Sequence, residues 1–193
     1  MAKEVEIKFR IADVKALTRA LKRARFRLVT RRTHEMNSLY DLPGQKLRKC
    51  GELLRLRNYG DEWVLTHKSK GAAGRHKVRV ERETLVANGE QMDAILRVLG
   101  YSPTFLYEKY RAEWSDGTGH VVVDETPIGD FGEIEGSPTW IDQTAAKLAI
   151  RKADYITRTY ADLFFSWKRE QRSAATEMTF RATRRKRELG TSN

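Results

Sequence analysis

Hydrophobic and polar residues alternate strictly at the start of the chain, from Glu4 to Ile11. Side chains on a β-strand point to opposite faces with a period of two. This stretch is therefore predicted to be a strand with one ionic face and one apolar face. The ionic residues are Glu4, Glu6, Lys8 and Arg10, and the apolar residues are Val5, Ile7, Phe9 and Ile11.

Further strand and helix patterns follow along the chain. Asp13 is a predicted N-cap for the first helix, and Gly100 is expected to end the second. The remaining predicted strands are 26–32, 36–40, 52–58, 63–68, 77–84, 106–114, 120–125 and 131–135. The predicted helices are 14–24, 91–99, 141–150 and 156–167.

These elements are grouped as hairpins and separate helices and do not alternate as βαβ units, which predicts an α+β fold with an antiparallel sheet. Two hairpins are expected, one joining 52–58 to 63–68 and one joining 106–114 to 120–125. About eight strands are enough to close into a barrel.

The ionic face of the first strand recurs in the later strands, with charges of both signs. Taken by parity, these faces collect seven carboxylates and seven cations. The carboxylates are Glu4, Glu6, Glu81, Glu83, Asp124, Glu133 and Glu135, and the cations are Lys8, Arg55, Arg57, Lys68, Arg79, Lys109 and Arg111. One interpretation is that these residues form the solvent-exposed face of a half-buried sheet. Cross-strand ion pairs on such a face each contribute about 0–1 kcal/mol to stability.

Blocks of like charge favour a different interpretation. Arg55 and Arg57 share one face, as do Glu133 and Glu135. Residues two apart on a strand lie roughly 6.6 Å apart, so each block repels itself unless an opposite charge bridges it. A divalent cation bridges carboxylates and a polyphosphate bridges basic side chains, so a metal-bound triphosphate would satisfy both blocks.

Length, charge and cysteine content narrow the function classes. The chain has 193 residues, enough for one domain with a real core, and its net charge of +11 favours polyanionic partners. Cys50 is the single cysteine, which excludes an internal disulfide and suggests a cytoplasmic setting. No apolar run approaches the ~20 residues of a membrane span, and no signal peptide precedes the first strand.

The C-terminal end is polar and basic from Trp167 onward, with a run of four cations at 184–187. We expect a domain over residues 1–166 followed by a solvated basic tail over residues 167–193. A nucleic-acid-binding role for this tail is the less favoured alternative.

Several motifs, taken in order, resemble those of the CYTH superfamily, the triphosphate tunnel metalloenzymes that include class IV adenylyl cyclases and thiamine triphosphatases. The leading motif, Glu4-x-Glu6-x-Lys8, resembles the Glu-x-Glu-x-Lys signature of that family. The resemblance covers roughly residues 1–165. The other matching segments are Leu54-Arg55-Leu56-Arg57, Thr66-His67-Lys68, Arg79-Val80-Glu81-Arg82-Glu83, Lys109-x-Arg111, Val123-Asp124-Glu125, Gly132-Glu133-Ile134-Glu135 and Thr157-Arg158-Thr159-Tyr160.

The resemblance implies an eight-stranded antiparallel tunnel with helices outside and Mg²⁺- or Mn²⁺-dependent chemistry on a triphosphate. It implies catalytic roles for Lys8, Glu4 and Glu6. The implied triphosphate-binding residues are Lys8, Arg55, Arg57, Lys68, Lys109 and Arg111, with Arg79 and Arg158 as further candidates. The implied metal ligands are Glu4, Glu6, Asp124, Glu133 and Glu135, with Glu81 and Glu83 in support. Tyr155 and Tyr160 are expected near a tunnel mouth.

Three functions remain open on these grounds. A triphosphatase acting on inorganic triphosphate, thiamine triphosphate or a similar small triphosphate is preferred. A class IV adenylyl cyclase is the alternative, although only Met1-Ala2-Lys3 precede the first motif, where some cyclases carry a His-Phe pair. A non-catalytic polyphosphate or nucleic-acid binder is the third, and the carboxylates argue against it because a pure anion binder gains nothing from them.

Overall fold

Eight antiparallel strands form a closed barrel in the computed structural model, which describes residues 3–72 and 74–184. The strands follow one another around the barrel in the order β1, β5, β4, β3, β2, β6, β7 and β8. Their bounds are β1 (Lys3–Ile11), β2 (Arg27–Asp41), β3 (Leu53–Tyr59), β4 (Glu62–Lys68), β5 (Lys77–Val86), β6 (Ser102–Ser115), β7 (His120–Thr126) and β8 (Gly129–Glu135). The predicted α+β barrel is confirmed.

Within the described residues, six α-helices accompany the barrel. Asp13 caps the first of them as predicted, because its side chain accepts a hydrogen bond from the backbone N–H of Ala16 at 3.0 Å. The helices are α1 (Val14–Arg23), α2 (Lys46–Cys50), α3 (Gly89–Val98), α4 (Pro138–Lys147), α5 (Tyr160–Glu170) and α6 (Phe180–Thr183). No helix in the described part of the chain is long and apolar enough to cross a membrane.

The apolar side chains of each strand face these helices. The ionic side chains, which alternate with them, therefore line the interior of the barrel. Ile7 and Ile134 are fully buried in a cluster that includes Leu21 of α1 and Ile141 of α4. On the other side of the barrel, Leu56 packs in a separate cluster beneath α3. Burying these side chains outside the barrel fixes the strand register and hence which residues point inward.

The second strand differs from the prediction of two short strands, because residues 27–41 form one continuous strand with register shifts against β6. The short helix α2 that follows was not predicted. Asp41 accounts for it: its carboxylate accepts hydrogen bonds from the backbone N–H groups of Leu42, Leu47 and Arg48 at 2.7–3.0 Å. A cap contributed from outside a five-residue helix leaves no periodic signal in the sequence.

The first strand contacts β5 only over Lys3–Glu6, and the chain after α4 fills the gap beyond that point. There the backbone of Ile156 exchanges two hydrogen bonds with that of Lys8, at 2.7 and 3.0 Å. This pairing places the beginning of α5, and with it Tyr160, at the end of the barrel interior.

The segment after Trp167 is not a solvated tail up to Arg184, which corrects that part of the prediction. Helix α5 continues to Glu170, so the boundary expected at residues 166/167 falls within a helix. Ala175 and Met178 are buried, and Met178 exchanges backbone hydrogen bonds of 3.0 Å with β6. The rest of the basic run, residues 185–187, lies outside the described residues.

Candidate functional site

The barrel encloses a cavity of about 750 Å³, here called the tunnel cavity, whose lining is mostly charged. All seven predicted cations line it, as do six of the seven predicted carboxylates. These are Lys8, Arg55, Arg57, Lys68, Arg79, Lys109 and Arg111 with Glu4, Glu6, Glu81, Glu83, Glu133 and Glu135. The structure thus brings together on one cavity residues that are spread over 132 positions of the sequence, from Glu4 to Glu135.

The two sides of the cavity carry different charges. We call the side formed by β8, β1 and β5 the acidic wall, because most of the cavity's carboxylates lie there, with Lys8, Lys77, Arg79 and Arg82 among them. These carboxylates are Glu133, Glu135, Glu4, Glu6, Glu81 and Glu83. We call the side formed by β3, β2 and β6 the basic wall, because it holds Arg55, Arg57, Lys109 and Arg111.

Lysines pair with the carboxylates of the acidic wall. Lys68 donates to both oxygens of Glu4 at 2.7 and 2.8 Å, and Lys8 donates to Glu133. Lys77 donates to Glu6 at 2.5 Å. Lys77 was not among the predicted site residues, although its parity on β5 matches that of Arg79 and Glu81.

These pairs decide the charge state of the wall. Burial by itself raises the pKa of Glu6 and so does Glu133, but neighbouring ammonium groups outweigh both and lower the pKa to about 2. Burial likewise opposes ionisation of Lys8, yet Glu133 and Glu6 raise its pKa above the ordinary value. Both side chains are therefore charged near neutral pH.

Glu135 is the exception on the acidic wall, since it has no hydrogen bond or close ion pair among the residues that the structure describes. The residue is open to solvent at the cavity mouth. Even so, partial desolvation by the walls, together with the like charges of Glu4, Glu6 and Glu133, raises its pKa to about 7. Burial also raises the pKa of Glu4, with Glu6 and Glu81 adding to the effect. This corner of the cavity carries unrelieved negative charge.

The donor chemistry of this corner fits a divalent cation, because carboxylate oxygens are the hard ligands that Mg²⁺ and Mn²⁺ prefer. Within residues 3–72 and 74–184, however, no three acidic, histidine or cysteine side chains are already arranged to hold a metal ion. The carboxylates of Glu4 and Glu6 already accept hydrogen bonds from Lys68 and Lys77, respectively. A metal bound here would have to displace these ammonium groups.

The basic wall is anchored by Asp124, which lies fully buried behind the lining. Arg111 binds its carboxylate through two nitrogens at 2.7 and 2.8 Å, and Lys109 donates to it at 2.9 Å. Tyr160 also donates its hydroxyl proton to Asp124, at 2.6 Å. Asp124 was predicted as a metal ligand, but the structure places it among three donors and not on the cavity surface.

Glu35 on β2 was missed by sequence reasoning. It is fully buried, and its carboxylate lies 3.5 Å from Lys109, 3.7 Å from Arg111 and 4.0 Å from Arg57. Burial alone raises its pKa, but these cations together with Arg55 lower it to about 2. Glu35 lies between the predicted strands 26–32 and 36–40, so the alternation along a strand was not used to assign its side chain to the ionic face.

The remaining cations line the cavity with free hydrogen-bonding capacity. Arg55 donates to Thr66 at 3.2 Å and Arg57 donates to Glu83 at 3.3 Å. The Nε atoms of Arg55, Arg57 and Arg79 are buried and have no hydrogen-bond partner among the described residues. Such unmet donors are suited to the oxygens of an anionic ligand.

Tyr160 lines the tunnel cavity and is buried, and its expected position near a tunnel mouth stays a prediction. Its ring lies 4.4 Å from the ammonium of Lys8 and 4.8 Å from that of Lys109. Tyr155 is instead outside the barrel, where its hydroxyl donates to Asp142 at 3.2 Å.

Arg158 was also predicted as a phosphate contact, but it is exposed and absent from the cavity lining. Its guanidinium donates to the backbone carbonyl of Asp162 at 2.7 Å and to the hydroxyl of Ser166 at 2.5 Å. Both partners belong to α5. The structure therefore separates Arg158 from the other predicted site residues.

Comparison with known proteins finds a match to the family model for the CYTH domain over residues 2–160. The adenylate cyclase CyaB of Aeromonas hydrophila is 28% identical over 171 residues, covering 83% of this chain and 87% of that protein.

Two solved structures have the same fold. One, described as a candidate adenylate cyclase from Vibrio parahaemolyticus, has a TM-score of 0.75 at 20% identity and covers 84% of this chain and 97% of its own. The other is HpAC1 from Hippeastrum, a candidate adenylyl cyclase described as having a dominant triphosphatase activity. Its TM-score is 0.62 at 20% identity, with coverage of 84% of this chain and 95% of its own. At these identities the likeness concerns the fold.

Proposed function

The chain belongs to the CYTH family, and from this membership we propose that it is a divalent-metal-dependent triphosphatase acting on a small triphosphate. One observation carries the proposal: a single cavity of about 750 Å³ is lined by many arginines, lysines and carboxylates, with the carboxylates concentrated on the side formed by β8, β1 and β5. This arrangement suits a triphosphate chain together with the cation that accompanies it.

The basic wall would bind the phosphate oxygens. Arg55 and Arg57 offer planar guanidinium groups that can each bind two oxygens, and Lys109 offers a compact ammonium. Arg111 offers its remaining nitrogen, because the other two bind Asp124 and Glu133. Asp124 and Glu35 hold Arg57, Lys109 and Arg111 in place through the contacts described above. Because the cations are fixed before the ligand arrives, little reorganisation is needed to stabilise charge that develops during phosphoryl transfer.

The acidic wall would hold the metal through Glu4, Glu6 and Glu135, with Glu133 and Glu81 beside them. A divalent cation there would shield the phosphate charge and polarise a water molecule for attack on phosphorus. The role of Glu4 and Glu6 is then to position that cation. Lys68 and Lys77, which pair with them, would be released toward the phosphates.

Lys8 belongs to the acidic wall but shares the ring of Tyr160 with Lys109 of the basic wall. It pairs with Glu133 and contacts the ring of Tyr160, which also hydrogen-bonds Asp124. We propose that Lys8 contacts the phosphoryl group that is transferred, and that Tyr160 limits the entry of water at this end. Both roles act through charge and position, the main sources of catalysis in phosphoryl transfer.

The test is phosphate release from inorganic triphosphate, thiamine triphosphate and ATP by purified protein with Mg²⁺ or Mn²⁺. We expect release that stops in excess chelator and falls at least 1,000-fold, on the order of 4 kcal/mol in barrier, in Glu4→Gln/Glu6→Gln. Glu90→Gln/Glu170→Gln is the matched control, because both of its carboxylates are exposed on helices. Unchanged release in the first variant would contradict the proposal.

Adenylyl cyclase activity is the second candidate, and the name of the Aeromonas hydrophila relative favours it. Cyclic AMP and pyrophosphate formed from ATP, without phosphate release, would replace the triphosphatase assignment. A protein that binds triphosphate equally well in chelator and turns over none of these substrates would be a binder only.

A further inference from the structure

Residues 14–34, here called the basic segment, contain eight lysines and arginines and no aspartate or glutamate. The segment comprises α1, the turn after it and the first part of β2. Its charge of +8 is most of the net charge of +11 of the whole chain. Triphosphate binding does not explain this charge, because no residue of the basic segment lines the tunnel cavity.

The cations of α1 lie on one side of the helix. Leu17 and Leu21 pack into the apolar cluster against the barrel, whereas the cations follow one another at spacings of three and four residues and are exposed. Residues at such spacings share one face of a helix. The outer face of α1 therefore presents cations and no carboxylate. These cations are Lys15, Arg19, Lys22 and Arg23.

The irregular start of β2 extends this basic face and adds apolar side chains to it. The pairing of β2 with β6 shifts register twice between Leu28 and Thr33, and each shift inserts an extra residue into β2. Successive side chains of a regular strand point to opposite faces, yet Leu28 and Val29 are 45% and 54% exposed. Arg27 and Arg31 on either side of them are exposed as well.

Most cations of the basic segment are not neutralised by the protein itself. Arg19 lies 4.0 Å from Asp13, and Arg32 pairs with Glu125 at 2.7 Å. The other six have no close ion pair and no side-chain hydrogen bond among the residues that the structure describes. They are Lys15, Lys22, Arg23, Arg25, Arg27 and Arg31. Such a concentration of positive charge attracts a polyanionic surface.

The uncharged side chains of the basic segment distinguish a lipid surface from a nucleic acid. Proteins that bind nucleic acids use amide groups to read base edges, or aromatic rings on which bases stack. Residues 14–34 contain no asparagine, glutamine, tyrosine or tryptophan, and their phenylalanine, Phe26, is buried. Leu28 and Val29 are exposed instead. Aliphatic side chains beside arginines suit the boundary between lipid headgroups and acyl chains.

We propose that the basic segment docks the protein on an anionic membrane surface. The lysines and arginines contact the lipid headgroups, and Leu28 and Val29 enter the outer edge of the acyl chains. Binding at a membrane surface combines electrostatic attraction with burial of apolar side chains, and the basic segment offers both. The proposal goes beyond the triphosphatase assignment and does not depend on it, because the two use different residues.

The first experiment measures sedimentation of the purified protein with vesicles of phosphatidylcholine alone or mixed equally with phosphatidylglycerol. The mixed vesicles should bind at least about 10-fold more tightly, and Arg27→Gln/Arg31→Gln should lose about 10-fold of that affinity. Lys46→Gln/Lys49→Gln removes two exposed cations from α2 and should bind as wild type does. Equal binding to both kinds of vesicle, or equal losses in both variants, would overturn the proposal.

A second pair of variants tests the aliphatic side chains. Leu28→Ser/Val29→Ser should weaken binding to the mixed vesicles about 10-fold. Ile95→Ser/Val98→Ser is the matched control, because these residues of α3 are 51% and 88% exposed, and it should bind as wild type does. If the first variant keeps its affinity for vesicles, while Arg27→Gln/Arg31→Gln loses affinity for oligouridylate, the surface binds nucleic acid and the proposal is wrong.

Fluorescence quenching tests insertion without removing a cation. Val29→Trp should lose emission on mixed vesicles whose acyl chains are brominated, whereas Val98→Trp on α3 should emit as it does in free solution. Both variants should unfold at the temperature of wild type, since both positions are exposed. Equal quenching of the two, or none in Val29→Trp, would contradict the docking of the basic segment.

Discussion

The like charges on the two walls of the tunnel cavity are balanced to different extents by neighbouring groups. On the basic wall, one fully buried carboxylate, Glu35, lies within 4.0 Å of three cations and holds them together. On the acidic wall, lysines neutralise Glu4 and Glu6, but Glu135 has no such partner and its pKa rises to about 7. The basic wall is thus preassembled for an anion, whereas the acidic wall keeps negative charge that a cation would relieve.

The largest loss of activity is expected from replacing Arg111, which tests whether the basic wall is preassembled. Arg111 binds Asp124 and Glu133. Arg111→Ala should lower kcat/KM for inorganic triphosphate about 10²–10³-fold, as expected for removing a preorganised charge donor. Arg111→Lys should recover part of the loss, because it restores the charge but not the two-nitrogen contact. Thermal unfolding of both variants serves as the folding control. An activity change under 10-fold would contradict a preassembled basic wall.

The next effect concerns stability and its dependence on pH. The pKa of Glu35 is about 2 when folded against an ordinary 4.5, so its ionisation stabilises the fold by about 3 kcal/mol at neutral pH. Because the folded pKa is the lower one, this contribution is present above about pH 4.5 and is lost as the pH falls toward 2.

Urea unfolding of wild type and Glu35→Gln measures this contribution directly. The variant should be less stable by about 3 kcal/mol at pH 7, and less than half of that difference should remain at pH 3. A difference that does not change with pH would show that Glu35 acts through packing and not through its charge.

A smaller effect is expected from the unpaired carboxylate of the acidic wall. Glu135→Gln should raise the metal concentration for half-maximal activity about 10-fold, because one candidate ligand loses its charge. Glu125→Gln is a suitable control, since Glu125 pairs with Arg32 on the outside of the barrel. An unchanged metal requirement in Glu135→Gln would remove this residue from the metal site.

The smallest effect is expected at Arg158, and it tests whether this residue belongs to the site. Arg158 binds groups of α5 and does not line the tunnel cavity. We therefore expect Arg158→Ala to change the KM for inorganic triphosphate less than twofold in steady-state assays. A rise comparable to that of the basic-wall variants would mean that α5 rearranges when substrate binds.

Strict alternation made most of the tunnel cavity predictable. Once Val5 and Ile7 are assigned to the outer core, Glu4, Glu6 and Lys8 have to point inward, and the same parity applies to the other strands. Glu35 escaped this reasoning because residues 33–35 were not assigned to a strand. Lys77 escaped because it begins its strand, where parity has only one neighbour to support it.

Features that depend on individual hydrogen bonds could not be predicted from the hydrophobic pattern. The burial of Met178 follows from its pairing with β6, which nothing in the basic composition around it indicates. The short helix α2 depends on Asp41, and the position of Arg158 depends on groups of α5. The partner of Met178 is distant in the sequence, whereas the partners of Asp41 and Arg158 lie within eight positions of them. In each case the contact overrides the signal of the hydrophobic pattern.

The most direct test of the division between the walls is a crystal structure with Mn²⁺ and a non-hydrolysable triphosphate. The account predicts an anomalous Mn²⁺ peak beside Glu4, Glu6 and Glu135, with the phosphate oxygens on Arg55, Arg57 and Arg111. Manganese bound elsewhere, or a triphosphate lying outside the tunnel cavity, would contradict it.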